Sequence, residues 1–382
     1  MRKYLFTPGP VPLATGVQAA MAEPVTSHRD REFPALLLRL QNRLRDLLRT
    51  SGPVPFVPGS GTAALEALAV NLIEPGSKVL SFSCGIFGDR FREIARRRGA
   101  QVFSFDTAPG SPCLPGEVAE ACREFADADV LLLTHNETST GVLNPLEEIC
   151  RRLPEKRPLI LVDAVSSLGV VPLYPEKWGI DAIASCSQKG LGAPPGLGVL
   201  WLSNRARNVL GKRETAPTVF FDLCALLAGL EKEEPSVPYT PPVTIVRALD
   251  AALDGMARAG YEKRFSDAKR FARTLARGFG SMGLRLFVHD EAYRSPGVTA
   301  VEIAGGRAED VRENLRDCGI ETAGGQGALK GRILRIGHFS GEGWPEAALL
   351  LGSFWFACKG AKIPVEEPDF GKCLEEFEKE EA

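Results

Sequence analysis

Lys189 stands in DAIASCSQKGLGAPPGLGVL, just after an apolar stretch and just before a turn rich in glycine and proline that has no helical period. Lysine is seldom held inside a protein without a reason. An amine confined in a partly desolvated site can condense with an aldehyde and later carry protons; the bland reading is a solvated loop lysine. One stretch earlier, Asp163 in LILVDAVSSLG closes another apolar run. That sets a carboxylate at the carboxyl end of a buried strand, the edge where open α/β sheets bind ligands. Burying such a charge is costly unless it is paired. A protonated pyridine nitrogen is one partner; an Asp that caps the following turn is the competing reading. Earlier still, Pro58-Gly59-Ser60-Gly61-Thr62 separates an apolar stretch from the strong helix former AALEALAVNL. Its small residues let backbone N–H groups and hydroxyls converge on an anion at a helix N-terminus, as a phosphate cup does. Gly59, Gly61 and Ala64 also fit a dinucleotide pattern, and Ser60 or Thr62 could merely cap the helix. A dinucleotide site wants an acid about twenty positions later, at the end of the next strand. The chain there reads Ser81, Phe82, Ser83, Cys84. The joint order of phosphate turn, acid at a strand end and lysine one strand further on favours a phosphate-bearing aldehyde cofactor.

Six stretches, LFTPGPV, PGSGTAALEA, THNETSTGVLNPL, VDAVSSLG, SCSQKGLGAPPGLG and LRIGHFS, follow one another from Tyr4 towards Phe356. Together they resemble the class V (fold type I) aminotransferases that use pyridoxal 5'-phosphate (PLP), in the branch of alanine–glyoxylate, serine–pyruvate and related aspartate aminotransferases. The resemblance implies that Lys189 holds the cofactor as a Schiff base and moves the proton as general base and acid. It implies that Asp163 keeps the pyridine nitrogen protonated, so that the ring is an electron sink. Ser60, Gly61, Thr62 and Gln188 would cradle the phosphate. Phe87, in CGIFGDR, would stack on the ring where relatives often carry Trp; otherwise it is a core phenylalanine. Thr138 would bond the phenolic oxygen, Val165 would pack on the ring, and Asn136 and Glu137 would shape the intervening turn. Arg335 would grip the substrate carboxylate through a bidentate fork, with Gly9 adding a backbone N–H. Read without the family, Arg335 is a surface ion-pair residue, and His28 and His338 are structural. Thr240, in PYTPPV, matches a threonine that reaches the phosphate of the neighbouring subunit, which implies a homodimer with shared sites. Relatives acting on alanine and glyoxylate often carry tyrosine three residues before that threonine; this chain has Val237 there and Tyr239 nearby.

The activity so implied is amino transfer by a ping-pong route. The donor would be serine, alanine or aspartate and the acceptor glyoxylate, pyruvate or 2-oxoglutarate. A lyase of the cysteine desulfurase kind and a 2-aminoethylphosphonate–pyruvate aminotransferase are alternatives on the same fold, and a dinucleotide-dependent oxidoreductase is a remote one. Desulfurases usually have His before the lysine, and this chain has Gln188. A binding protein without activity need not retain Lys189, Asp163 and Arg335 together.

These residues need a frame. Short apolar runs at Val54 to Val57, Lys78 to Phe82, Gln101 to Phe105, Asp129 to His135, Leu159 to Val165, Ala182 to Ser187 and Gly198 to Leu202 alternate with helical stretches. This predicts a mostly parallel, helix-covered sheet. Leucines on a helical period predict an amphipathic helix from Phe33 to Thr50. The proline-rich, charged stretch between Glu231 and Pro242 marks a crossing. Beyond it, helices at Tyr261 to Phe279, Ala308 to Asp317 and Trp344 to Cys358, with strands at Arg285 to Val288, Thr299 to Ile303 and Ile333 to Ile336, predict a smaller α/β domain. The expected division is an N-terminal segment 1–20 that contributes to the active site, a large cofactor-binding domain 21–245 and a small domain 246–382. The acidic end EEFEKEEA reads as a frayed or solvated helix end. With 46 basic and 48 acidic side chains the net charge is −2, so no overall field draws the chain onto nucleic acid or an anionic membrane. The nine cysteines are scattered and lack paired spacing, which argues against a disulfide framework or a zinc site and fits a reducing cytosol. No metal is implied.

Overall fold

Runs such as Val130–Thr134 and Leu159–Asp163 are buried at every position, because both of their faces are covered. In the computed structural model, which describes residues 3–213, 216–340 and 343–379, these runs form the middle of a seven-stranded sheet. Its strands are β1 (Phe56–Gly59), β2 (Lys78–Ser83), β3 (Gln101–Asp106), β4 (Val130–Thr134), β5 (Leu159–Asp163), β6 (Ala182–Cys186) and β7 (Gly196–Leu202). They lie in the order β1-β7-β6-β5-β4-β2-β3. β2 to β6 are parallel, whereas β7 runs antiparallel between β1 and β6. The connection 187–195 is too short for a helical crossover, so the chain must return alongside β6. Lys189 sits in that return.

Helices cover the sheet. The leucines of α1 (Phe33–Leu48) are buried on one face, and the helix stops before the expected Thr50 because Arg49 turns left-handed at φ 48°. α2 (Gly61–Leu72) follows β1 directly and α3 (Ile86–Arg97) follows β2. After the proline-rich crossing, α4 (Val243–Ala259) packs its apolar face into the same core as α1. α5 (Tyr261–Ser281) carries Phe271 and Phe279 into a second core, beneath a three-stranded sheet of β8 (Val298–Glu302), β9 (Ala323–Gly324) and β10 (Ile333–Gly337).

One expectation needs correction. Arg285–Val288 is not a strand; it makes a single bridge, Leu286 to Val301. Leu286 packs on the second core and Val288 on the first, so the segment leaves the sheet as it crosses between them. The acidic end does finish a helix with Glu375, Glu378 and Lys379 exposed, as expected, but Phe377 within it is packed. After α6 (Trp344–Gly360) it forms α7 (Phe370–Glu378), which packs Phe370, Cys373 and Phe377 on the second core. Residues 380–382 of that end, and 1–2 of the N-terminal segment, lie outside the described residues. At the other end, Tyr4–Leu5 pairs in parallel with Ile320–Glu321 as a separate two-stranded sheet and leads the chain towards Lys189. Among the described residues, no helix is long and apolar enough to cross a membrane.

Candidate active site

The loop after β6 is fastened from within: Ser187 Oγ donates to the Pro194 carbonyl at 2.6 Å and Gly192 N–H to the Lys189 carbonyl at 2.9 Å. Lys189 is therefore held in place, with its ammonium donating to the Pro8 carbonyl and lying 5.8 Å from the centre of the Phe339 ring. Burial lowers its proton affinity, and Cys186 and Asp163 pull the other way. Gly9 has φ +94°, and a Cβ there would fall 2.4 Å from Lys189 Cδ, so the backbone at this position lies against the lysine stem.

Asp163 is 2% exposed at the end of β5. One oxygen accepts the Val165 N–H at 2.9 Å, so the carboxylate does cap its own turn, as the bland reading held. That bond does not offset its desolvation. Burial pushes the carboxyl up to about 7, Val165 N–H opposing and the neighbouring Glu137 adding to the rise. Val165 packs on the first residue of α2, where a Cβ on Gly61 would meet Val165 Cγ2 at 2.5 Å. Ser60 occupies the N-cap position without a side-chain cap bond, which leaves its hydroxyl free for a ligand. Thr62 Oγ1 accepts from Arg90 at 3.4 Å. Gln188 Oε1 is buried without a partner.

On the facing side, Thr138 Oγ1 donates to Ser166 Oγ at 2.7 Å, and Ser166 Oγ in turn donates to the Asn136 carbonyl at 2.9 Å. Arg335, on β10, is 5% exposed and donates to the carbonyls of Gly324 (2.9 Å) and Thr138 (3.1 Å). No carboxylate pairs with it among the described residues, so it is not a surface ion-pair residue, and burial lowers its proton affinity. Phe87 lies in the first turn of α3, half-buried. His338 is buried, with Nε2 2.9 Å from Thr299 Oγ1, and burial depresses it to about 3; His28 rests edge-on against Phe33. Both remain structural. Thr240 is not gathered with the others. It is exposed on a surface groove with His28, Arg31 and Tyr239, and Tyr239 stacks on Phe220 at 5.0 Å.

Glu137 was read only as shaping a turn, yet it organises the site. Fully buried, it accepts from the N–H groups of Phe87 (3.1 Å), Gly88 (3.0 Å) and Ser139 (3.0 Å) and from Ser139 Oγ (2.6 Å). A carboxylate thus binds the N-terminus of α3 and fixes Phe87. Burial still raises its pKa against those bonds. Ser166 and Arg90 also escaped sequence reading, although Arg90 lies three residues after Phe87 and hence on the same helix face.

The whole arrangement has relatives. The family model described as Aminotransferase class-V matches residues 19–335. An uncharacterized aminotransferase of Methanocaldococcus jannaschii is 34% identical over 369 residues, covering 96% of this chain and 95% of that protein. The alanine–glyoxylate aminotransferase of Oryctolagus cuniculus is 36% identical over 344 residues, 88% of this chain and 87% of that one. The crystal structure of ureidoglycine–glyoxylate aminotransferase from Bacillus subtilis superposes with a TM-score of 0.93 at 30% identity, covering 99% of both chains. The chain belongs to the class-V aminotransferases, a PLP-dependent family of fold type I.

Proposed function

We propose that this aminotransferase binds PLP at Lys189 and moves an amino group from a small amino acid to a small 2-oxo acid. The residues present suit that cofactor. Asp163 is a desolvated carboxylate, Gly61 lets Val165 close against the start of α2, where a side chain would collide, and the free Ser60 hydroxyl at the start of α2 suits an anion. When bound, PLP supplies an electron sink for charge that develops at the substrate Cα.

The chain's own groups divide the remaining work. Asp163 holds a proton on the pyridine nitrogen, Thr138 bonds the phenolic oxygen, and Phe87 and Val165 pack the ring. Ser60, Gly61, Thr62 and Gln188 hold the phosphate. Arg335 orients the substrate by its carboxylate, helped by the Gly9 N–H, and Lys189 takes and returns the proton at Cα. Burial favours a neutral, basic amine for that task. The first product leaves before the second substrate enters, as in a ping-pong scheme, with serine, alanine or aspartate as donor and glyoxylate, pyruvate or 2-oxoglutarate as acceptor. Thr240, exposed on its own chain, completes the phosphate site of a second copy in a homodimer. Nine free thiols suit a reducing cytoplasm.

Asp163 carries this reading: a buried carboxylate that makes no ion pair among the described residues, raised by burial although Arg90 and Lys189 nearby oppose the rise, and one strand from a confined lysine. Two measurements test it. Protein mixed with PLP should show a yellow absorbance that borohydride removes, with a phosphopyridoxyl group then on the peptide containing Lys189. Donors paired with each oxo acid should yield the corresponding products. A colourless protein after PLP addition, or a label on another lysine, refutes the proposal.

A further inference from the structure

A cofactor phosphate arrives with close to two negative charges. The proposed cup of Ser60, Gly61, Thr62 and Gln188 is neutral, and a helix N-terminus supplies only about half a positive charge. Among the described residues, Arg90 is a cation that touches this cup. Its Nη1 lies 3.4 Å from Thr62 Oγ1, and its guanidinium carbon 4.9 Å from the centre of the Phe87 ring. Arg90 is exposed and pairs with no carboxylate among the described residues. The neighbouring acid, Asp89, is engaged by Ser83 Oγ and by Arg92. Arg97 on the same helix pairs with Glu93, and Arg152 elsewhere with Glu148, whereas Arg90 lies beside an anion cup with no such partner.

Its position is also fixed by the turn that precedes it. Glu137 and Ser139 bind the N–H groups of Ile86, Phe87 and Gly88, which anchors the first turn of α3. One further turn sets Arg90 on the same face as Phe87. The helix therefore presents an aromatic face and a cation side by side, towards α2.

We propose that Arg90 is a charged ligand of the cofactor phosphate, supplying through its planar fork the charge that the cup lacks. This rests on the reading of the site as a PLP site. The test titrates apoprotein of the wild type, Arg90→Gln and Arg90→Lys with PLP and, separately, with pyridoxal, which has the aldehyde and ring but no phosphate, following absorbance and quenching of intrinsic fluorescence. Arg90→Gln should weaken PLP by at least about tenfold, the scale of a charged hydrogen bond, and leave pyridoxal unchanged, with Arg90→Lys in between. Rising salt should weaken PLP binding to the wild type more than to Arg90→Gln. Equal PLP affinity in wild type and Arg90→Gln overturns the assignment, including when the variant instead raises KM for dicarboxylate donors, which would make Arg90 a substrate reader. Equal losses for PLP and pyridoxal overturn it too, as a purely structural effect. If the wild type binds neither compound, the PLP reading itself falls, and this inference with it.

Discussion

Asp163→Asn keeps an acceptor for the Val165 N–H while removing the buried charge. In the apoprotein, burial holds this carboxyl at about 7 against an ordinary 3.8, so the native state binds the proton more tightly than the unfolded chain does. The stability that this confers is full below pH 3.8 and is lost as pH rises through about 7. Converted to free energy, that interval amounts to about 4 kcal/mol. Asparagine does not ionise and escapes the loss. The difference in urea unfolding free energy between variant and wild-type apoprotein should therefore move in favour of the variant by about 4 kcal/mol between about pH 4 and about pH 8. Saturation with PLP should then stabilise the wild type at about pH 8 more than it stabilises the variant, because only the wild type offers a charge to the ring nitrogen. A difference that stays flat across this pH range would show that the carboxylate is solvated or already paired, and the argument for its role would fail with it.

Arg335→Lys loses the fork that now spans the carbonyls of Gly324 and Thr138; KM for amino donors should rise about tenfold to a hundredfold with a smaller change in kcat, and unaltered steady-state kinetics would remove Arg335 from the substrate site. Gly9→Ala meets both the positive φ and the lysine stem; turnover should fall by about a hundredfold, the effect of a misplaced reacting group, while far-ultraviolet circular dichroism stays native, and full activity would mean that Lys189 is not confined there. Glu137→Gln replaces two acceptor oxygens by one and points an amide N–H₂ at the donors of α3 and Ser139; urea unfolding should show a loss of about 1–3 kcal/mol, and a neutral outcome would contradict the anchoring of Phe87.

What could be read from the chain depended on how locally each feature is encoded. The parallel strands were legible because burial on both faces leaves unbroken apolar runs, as in Val130–Thr134. Arg285–Val288 was not, because its apolar run Leu286 to Val288 divides among different cores after a single bridge to β8. The end of the chain looked solvated through its glutamates, yet Phe370, Cys373 and Phe377 recur at helical spacing and find a core only in three dimensions. Lys189, Asp163 and the glycine turn stood out because charge or flexibility beside an apolar strand is locally anomalous. Glu137 did not, since its partners on α3 lie some fifty positions earlier in the chain, and no local pattern reports that a carboxylate will cap a remote helix.

The opening TPGPV was matched only through the family resemblance, and its physical reason appears in the folded chain. Phe6 accepts the Gly337 N–H at 2.7 Å, two residues past Arg335 on β10, and Pro8 accepts from Lys189. Four consecutive residues, Phe6 to Gly9, thus span from the strand that bears the proposed carboxylate clamp to the proposed Schiff-base lysine. Backbone bonds do this work, so side-chain type matters little except at Gly9, where φ and the lysine stem exclude a Cβ. The proposed carboxylate clamp and the proposed Schiff-base lysine are thus joined through the main chain, by the Gly337–Phe6 and Lys189–Pro8 bonds, rather than through a pair of side chains.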